Sequence, residues 1–110
     1  MWNDTDGSVA SGPPRAGVYS VTCSRTGRTY VGWSDDLART ITETRDTLTA
    51  GRHPDPVMQA DWAVDAGRAF EFAIHDEIPP EECVGDLAER LGRLRDLWID
   101  ELDIHEGRTY

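Results

Sequence analysis

The sequence predicts an α+β domain, a small three-stranded antiparallel sheet flanked by three helices in the order β-β-α-α-β-α. Three observations carry this. Two short runs rich in β-branched and aromatic residues, AGVYSVTCS and RTYVGWS, are joined by the turn Arg25-Thr26-Gly27 and read as a hairpin. Later segments hold apolar residues at helical spacing, and one alternating run, RAFEFAIHDEI, stands between them. Such a sheet is too small for a doubly wound nucleotide site.

Residues 1–15 are rich in Gly, Pro, Ser and Asp and read as a flexible leader ending at Gly12-Pro13-Pro14. The domain is expected over 16–104. In the first strand Val18, Ser20 and Thr22 alternate with Tyr19, Val21 and Cys23. Asp35 or Asp36 then caps a helix carrying Leu37, Ile41 and Leu48, which Gly51 ends. Asp55 followed by Pro56 starts a second helix, in which Val57, Met58, Trp62 and Val64 form the apolar set up to Gly67. The third strand places Phe70, Phe72 and Ile74 opposite Glu71 and Ala73. Pro79 and Pro80 open the last helix, whose stripe is Val84, Leu87, Leu91, Leu94, Trp98 and Leu102. Residues 105–110 form a polar tail.

Charge narrows the partners. The chain of 110 residues carries 11 basic residues, all Arg, against 21 acids, for a net charge of −10. Residues 1–51 hold five Arg and six acids, and residues 52–110 hold six Arg and fifteen acids. This disfavours general binding to phosphate backbones, so any nucleic acid is expected to meet the first half. No apolar run approaches the roughly 20 residues of a membrane span and the start lacks the blocks of a secretory signal, so the expectation is a soluble, cytoplasmic protein without membrane contact. Cys23 and Cys83 are expected to be reduced, and no Cys or His pair has zinc-ligand spacing.

Gly17-Val18-Tyr19 on the first strand, Tyr30-Val31-Gly32 on the second, and Ser34 and Leu37 leading into a helix together resemble the GIY-YIG nuclease superfamily. The likeness extends through LTAGRHPDPVMQADW, FEFAIHDEI and LRDLWIDEL, over roughly residues 16–103. In that family two tyrosines, an Arg and often a His on the first helix, and a metal-holding Glu on the last helix cut a phosphodiester with one divalent ion. The resemblance therefore implies a pocket containing Tyr19 and Tyr30. Ser34, Arg28, Arg39 and His53 are candidate substrate contacts: Arg28 or Arg39 could join Arg95 in an anion site, and His53 matches a family position but reads more simply as a residue of the helix connection.

Three positions depart from the pattern. The family Arg, ten residues after Tyr30, falls on Thr40, and the His four residues further falls on Thr44. Arg39 stands next to Thr40, but one residue turns a helical side chain by about 100°. The metal-holding Glu, three residues before Trp98, is replaced by Arg95. A cation there repels a divalent ion, and Asp96 projects in another direction. Thr40, Thr44 and Arg95 can equally be solvated helix surface.

The expected pocket comprises Tyr19, Tyr30, Thr40, Thr44 and Arg95, with no metal and no cofactor. Three functions remain open. A degenerate nuclease-like module would bind an anionic small molecule, a phosphate ligand or a basic protein partner. A divergent endonuclease would cut DNA with magnesium or manganese, and a repurposed enzyme would act on an anionic small molecule without metal.

Overall fold

The computed structural model describes residues 15–79, 85–102, 104 and 110. Residues 1–14 of the expected leader, residues 80–84 with Cys83 and Val84, and residues 105–109 of the tail lie outside the described residues. The described elements are β1 (Ala16–Cys23), β2 (Thr29–Ser34), α1 (Leu37–Thr49), α2 (Pro56–Asp65), β3 (Phe70–Ile78) and α3 (Leu87–Glu101). The sheet is antiparallel, with order β2-β1-β3. Central β1 is buried along almost its whole length because helices cover both of its faces. No helix among the described residues is long and apolar enough to cross a membrane.

Alternation along β1 sends its side chains to two cores. Tyr19, Val21 and Cys23 pack with Leu37, Ile41 and Leu48 of α1, Met58 of α2 and Phe70 of β3. On the opposite face Ala16 packs with Ile78 and Leu91, bordered by Trp33, Leu87 and Leu94. Thus α1 and α2 cover one face and α3 the other.

The predicted caps are present. Asp36 accepts from the Arg39 amide, and the Asp55 carboxylate accepts from the amides of Val57 and Met58, with Pro56 at the first helical position. The last helix differs from expectation. It begins at Leu87 rather than after Pro80, because Gly85 adopts φ 72° and Asp86 then caps by accepting from the Glu89 amide.

Three apolar assignments, in two elements, also change. Val57 and Val64, seven residues apart, share the outer surface of α2 and are exposed, while Met58 and Asp61 face inward. Ile74 of β3 is 38% exposed instead of buried. The cause of the changed pattern further along β3 is a bulge: Tyr19 pairs with Ile74 but Val18 pairs with Asp76, leaving His75 extra. Beyond that point the alternation reverses, so Ile78, which strict parity would align with Phe70, joins the α3 core. Gly17 makes the irregularity possible, since a Cβ there would collide with the Asp76 carbonyl and approach Leu37 Cδ1 at 2.9 Å.

Candidate functional site

The α1/α2 face does not close completely. Tyr19 on β1 is buried and Tyr30 on edge strand β2 is 40% exposed, their ring centroids 6.0 Å apart and their planes tilted by 59°. Gly32 leaves room for both: a Cβ there would lie 2.7 Å from Tyr30 Cε2 and 3.0 Å from Tyr19 Cζ. The two rings form one wall of a cavity of about 450 Å³, which Thr44 of α1 flanks. The α1–α2 connection completes the lining with His53, Pro54 and Asp55, together with Met58.

The connection is held from within. The His53 amide donates to Gln59 Oε1, and Gln59 Nε2 donates to the Leu48 carbonyl, tying the loop to the end of α1. His53 Nδ1 accepts from the Asp55 amide at 3.0 Å, which places the proton of the neutral ring on Nε2. Burial first, and then the charge and hydrogen bonding of the Tyr30 hydroxyl, push the Tyr19 phenol well above its ordinary pKa. Tyr19 is therefore a protonated hydroxyl at neutral pH, suited to hydrogen bonding and poorly suited to act as a base.

Of the five residues expected to form the pocket, Tyr19, Tyr30 and Thr44 line this cavity, and His53 lines it with them. Thr40 and Arg95 are not among its lining residues. The Thr40 hydroxyl bonds Ser34 Oγ at 2.6 Å, and Ser34 Oγ accepts from the Asp36 amide, so both side chains fasten the start of α1 to β2. The Thr44 hydroxyl donates to the Thr40 carbonyl, leaving its oxygen lone pairs for a ligand. On α3, Arg95 lies along Asp96, with Nη2 to Oδ1 at 3.2 Å. Arg39 pairs with Glu43 on exposed helix surface, and Arg28 reaches Asp61 at 3.4 Å. None of these three guanidinium groups lines the cavity.

Two further clusters were not legible as clusters. Asp61, on the inner side of α2, accepts from Tyr110 Oη at 2.8 Å and from Arg28, while its carbonyl accepts from Arg25. Tyr110 also stacks on Phe70. This network holds the β1–β2 turn to α2. An acid between Met58 and Trp62 on an inward helix surface was the available signal. On the other face, His75 Nε2 bonds Ser20 Oγ at 2.8 Å and its ring packs against Trp98 at 4.9 Å. His75 is thus the polar centre of the α3 interface.

Two solved structures share this architecture. The catalytic domain of the intron endonuclease I-TevI, in a single-substitution form, superposes with a TM-score of 0.67 at 24% identity, covering 87% of this chain and 91% of that one. A second structure of the catalytic domain of the homing endonuclease I-TevI gives 0.66 at 24% identity, covering 86% and 95%. The chain has a GIY-YIG-like fold. No protein-family model and no curated protein matches the sequence.

The family resemblance carries the expectation of a divalent ion held by a carboxylate of the last helix, and the described residues offer no ligand cluster for one. Arg95, three residues before Trp98, has its guanidinium against Asp96. Among the described residues no three His, Cys or carboxylate side chains stand together as ligands. The cavity carboxylate, Asp55, is engaged as the cap of α2.

Proposed function

We propose that this chain is a GIY-YIG-fold binding module, degenerate for metal-dependent phosphodiester cleavage, in which the tyrosine-lined cavity is the ligand site. The observation that carries the reading is the fate of the aligned charged positions. Thr40 is spent on Ser34, and Arg95 faces Asp96. Cleavage needs a charged group on the phosphate oxygens and a Lewis acid or general acid at the leaving oxygen. The cavity offers hydroxyls, an imidazole N–H and two aromatic rings instead.

Those groups suffice for binding. Tyr19 and Tyr30 present polarisable faces and hydroxyl tips, Met58 and Pro54 supply apolar contact, and Thr44 contributes an acceptor oxygen. An anionic ligand, the first choice from sequence, would have to be held by neutral donors alone. A basic partner is favoured by the net charge of −10.

The direct test is incubation with supercoiled, linear and single-stranded DNA and with RNA, in magnesium and in manganese, beside Tyr19→Phe. No cleavage above the variant is expected. Metal-dependent cutting that Tyr19→Phe abolishes would overturn the reading and establish a divergent nuclease.

A further inference from the structure

The cavity's electrostatics are opposite in sign to those of a phosphate site. A buried anion needs a partner cation or a set of free amide donors. Three observations argue that this cavity supplies neither. The lining contains no arginine and the chain contains no lysine. The amides of Val57 and Met58, at the positive end of α2, already donate to Asp55 Oδ1. The one formally charged side chain in the lining, Asp55, is an anion.

A cation finds what an anion lacks. Two tyrosine rings meeting at 59° form a corner whose faces carry the negative part of the aromatic quadrupole. Asp55 adds a carboxylate on the same cavity, and Oδ2 takes no part in the capping bonds, which both run to Oδ1. The half-exposed Tyr30 opens the corner at a sheet edge, where a side chain presented by another protein can enter. The net charge of the chain, −10, draws basic partners toward the protein as a whole.

We propose that the cavity receives the cationic side chain, guanidinium or alkylammonium, of a basic protein partner, held on the open side of the corner that the Tyr19 and Tyr30 rings make and attracted by the Asp55 carboxylate. This rests on the binding reading above and names the ligand chemistry of the same site. The aromatic pair supplies the contact that discriminates a cation from a neutral chain. Asp55 supplies charge without losing its cap, because one oxygen serves each task. Long-range attraction sets the association rate and weakens with salt.

The test is an NMR titration of the full chain, observing the rings of Tyr19 and Tyr30 and the Met58 methyl, with Trp98 and Leu91 as remote reporters. The probes are N-acetyl-arginine-N-methylamide, its trimethyl-lysine counterpart, N-acetyl-glutamate-N-methylamide, inorganic phosphate, and a short arginine-bearing basic peptide. The cationic probes should shift Tyr19, Tyr30 and Met58 and leave Trp98 and Leu91 unmoved, and the peptide should bind more tightly than the free amide, with affinity falling as salt rises. Asp55→Asn, which keeps a good capping oxygen, and Tyr30→Leu should each weaken peptide binding about tenfold. Absence of shifts with the cationic probes, or larger shifts with phosphate or the glutamate amide, would overturn the proposal. A free amide that binds as tightly as the peptide would also overturn it, by making the ligand a small molecule. DNA cleavage in the separate assay would remove the binding reading, so the two failures are distinguishable.

Discussion

The two faces of one sheet are finished in different ways. On the α3 face, Leu91 is fully buried against Ala16 and Ile78, and the polar pair Ser20 and His75 is bonded internally and covered by Trp98. On the α1/α2 face, aliphatic packing by Leu37, Ile41 and Leu48 stops short of the β2 edge, and tyrosines, a histidine and a carboxylate border the remaining space. The same strand, β1, feeds both faces through alternate residues. Residue parity separates the sealed face from the one proposed for binding: Ser20 points to a covered interface, whereas Tyr19 reaches an open wall.

Substitutions can break that comparison, beginning with the sealed face. Leu91→Ala should destabilise the fold by about 3 kcal/mol, the transfer and cavity cost of a fully buried leucine, measured by urea unfolding. Cation-probe shifts at Tyr19 should survive in the folded fraction. On the open face, Gly32→Ala should cost less, about 1 kcal/mol, because the half-exposed Tyr30 ring can swing toward solvent to clear the new Cβ. The same variant should abolish probe binding, since it displaces the ring that forms the wall. Equal losses of stability from the two variants would erase the proposed separation.

A smaller effect sharpens it further. Burial lowers the pKa of His75 below its ordinary value, so the folded state binds fewer protons there than the unfolded chain. This contribution to stability is present above the unfolded pKa of about 6.5 and is lost as pH falls from there through the folded value. Urea midpoints measured downward from about pH 7.5 should therefore decline, and His75→Asn should flatten the upper part of that decline. A slope unchanged in the variant would show that His75 is not the responsible group. Smallest of all, Tyr19→Phe should alter stability by less than about 1 kcal/mol, since it removes one hydroxyl beside Tyr30.

Much of this architecture was readable from the chain. Capping at Asp36 and Asp55, the apolar series Leu37, Ile41 and Leu48, and the two strand motifs each state a local preference that the tertiary structure agrees with. What escaped were features decided by pairing across sequence distance. The bulge at His75 depends on how β3 registers against Gly17 and Val18, and it transfers Ile78 to the other face without any local mark. Asp61 is buried because Arg28 and Tyr110 arrive from distant segments. At the cavity, Tyr19, Tyr30, Thr44 and His53 are residues to which the family resemblance pointed, whereas it cannot show that the Thr40 hydroxyl is taken by Ser34. Met58 and Asp55 were read as core and cap, and both also line the cavity.

On the proposed reading the open face binds and does not cut, because Thr40 and Arg95 stand where the family resemblance expects an Arg and a metal-holding Glu. Its most direct test compares metal-dependent DNA cleavage by the wild type with that of a Thr40→Arg/Arg95→Glu double variant, both verified as folded. The expected result is a silent wild type and measurable, magnesium- or manganese-dependent cutting by the double variant. Cutting by the wild type, lost in Tyr19→Phe, would contradict it.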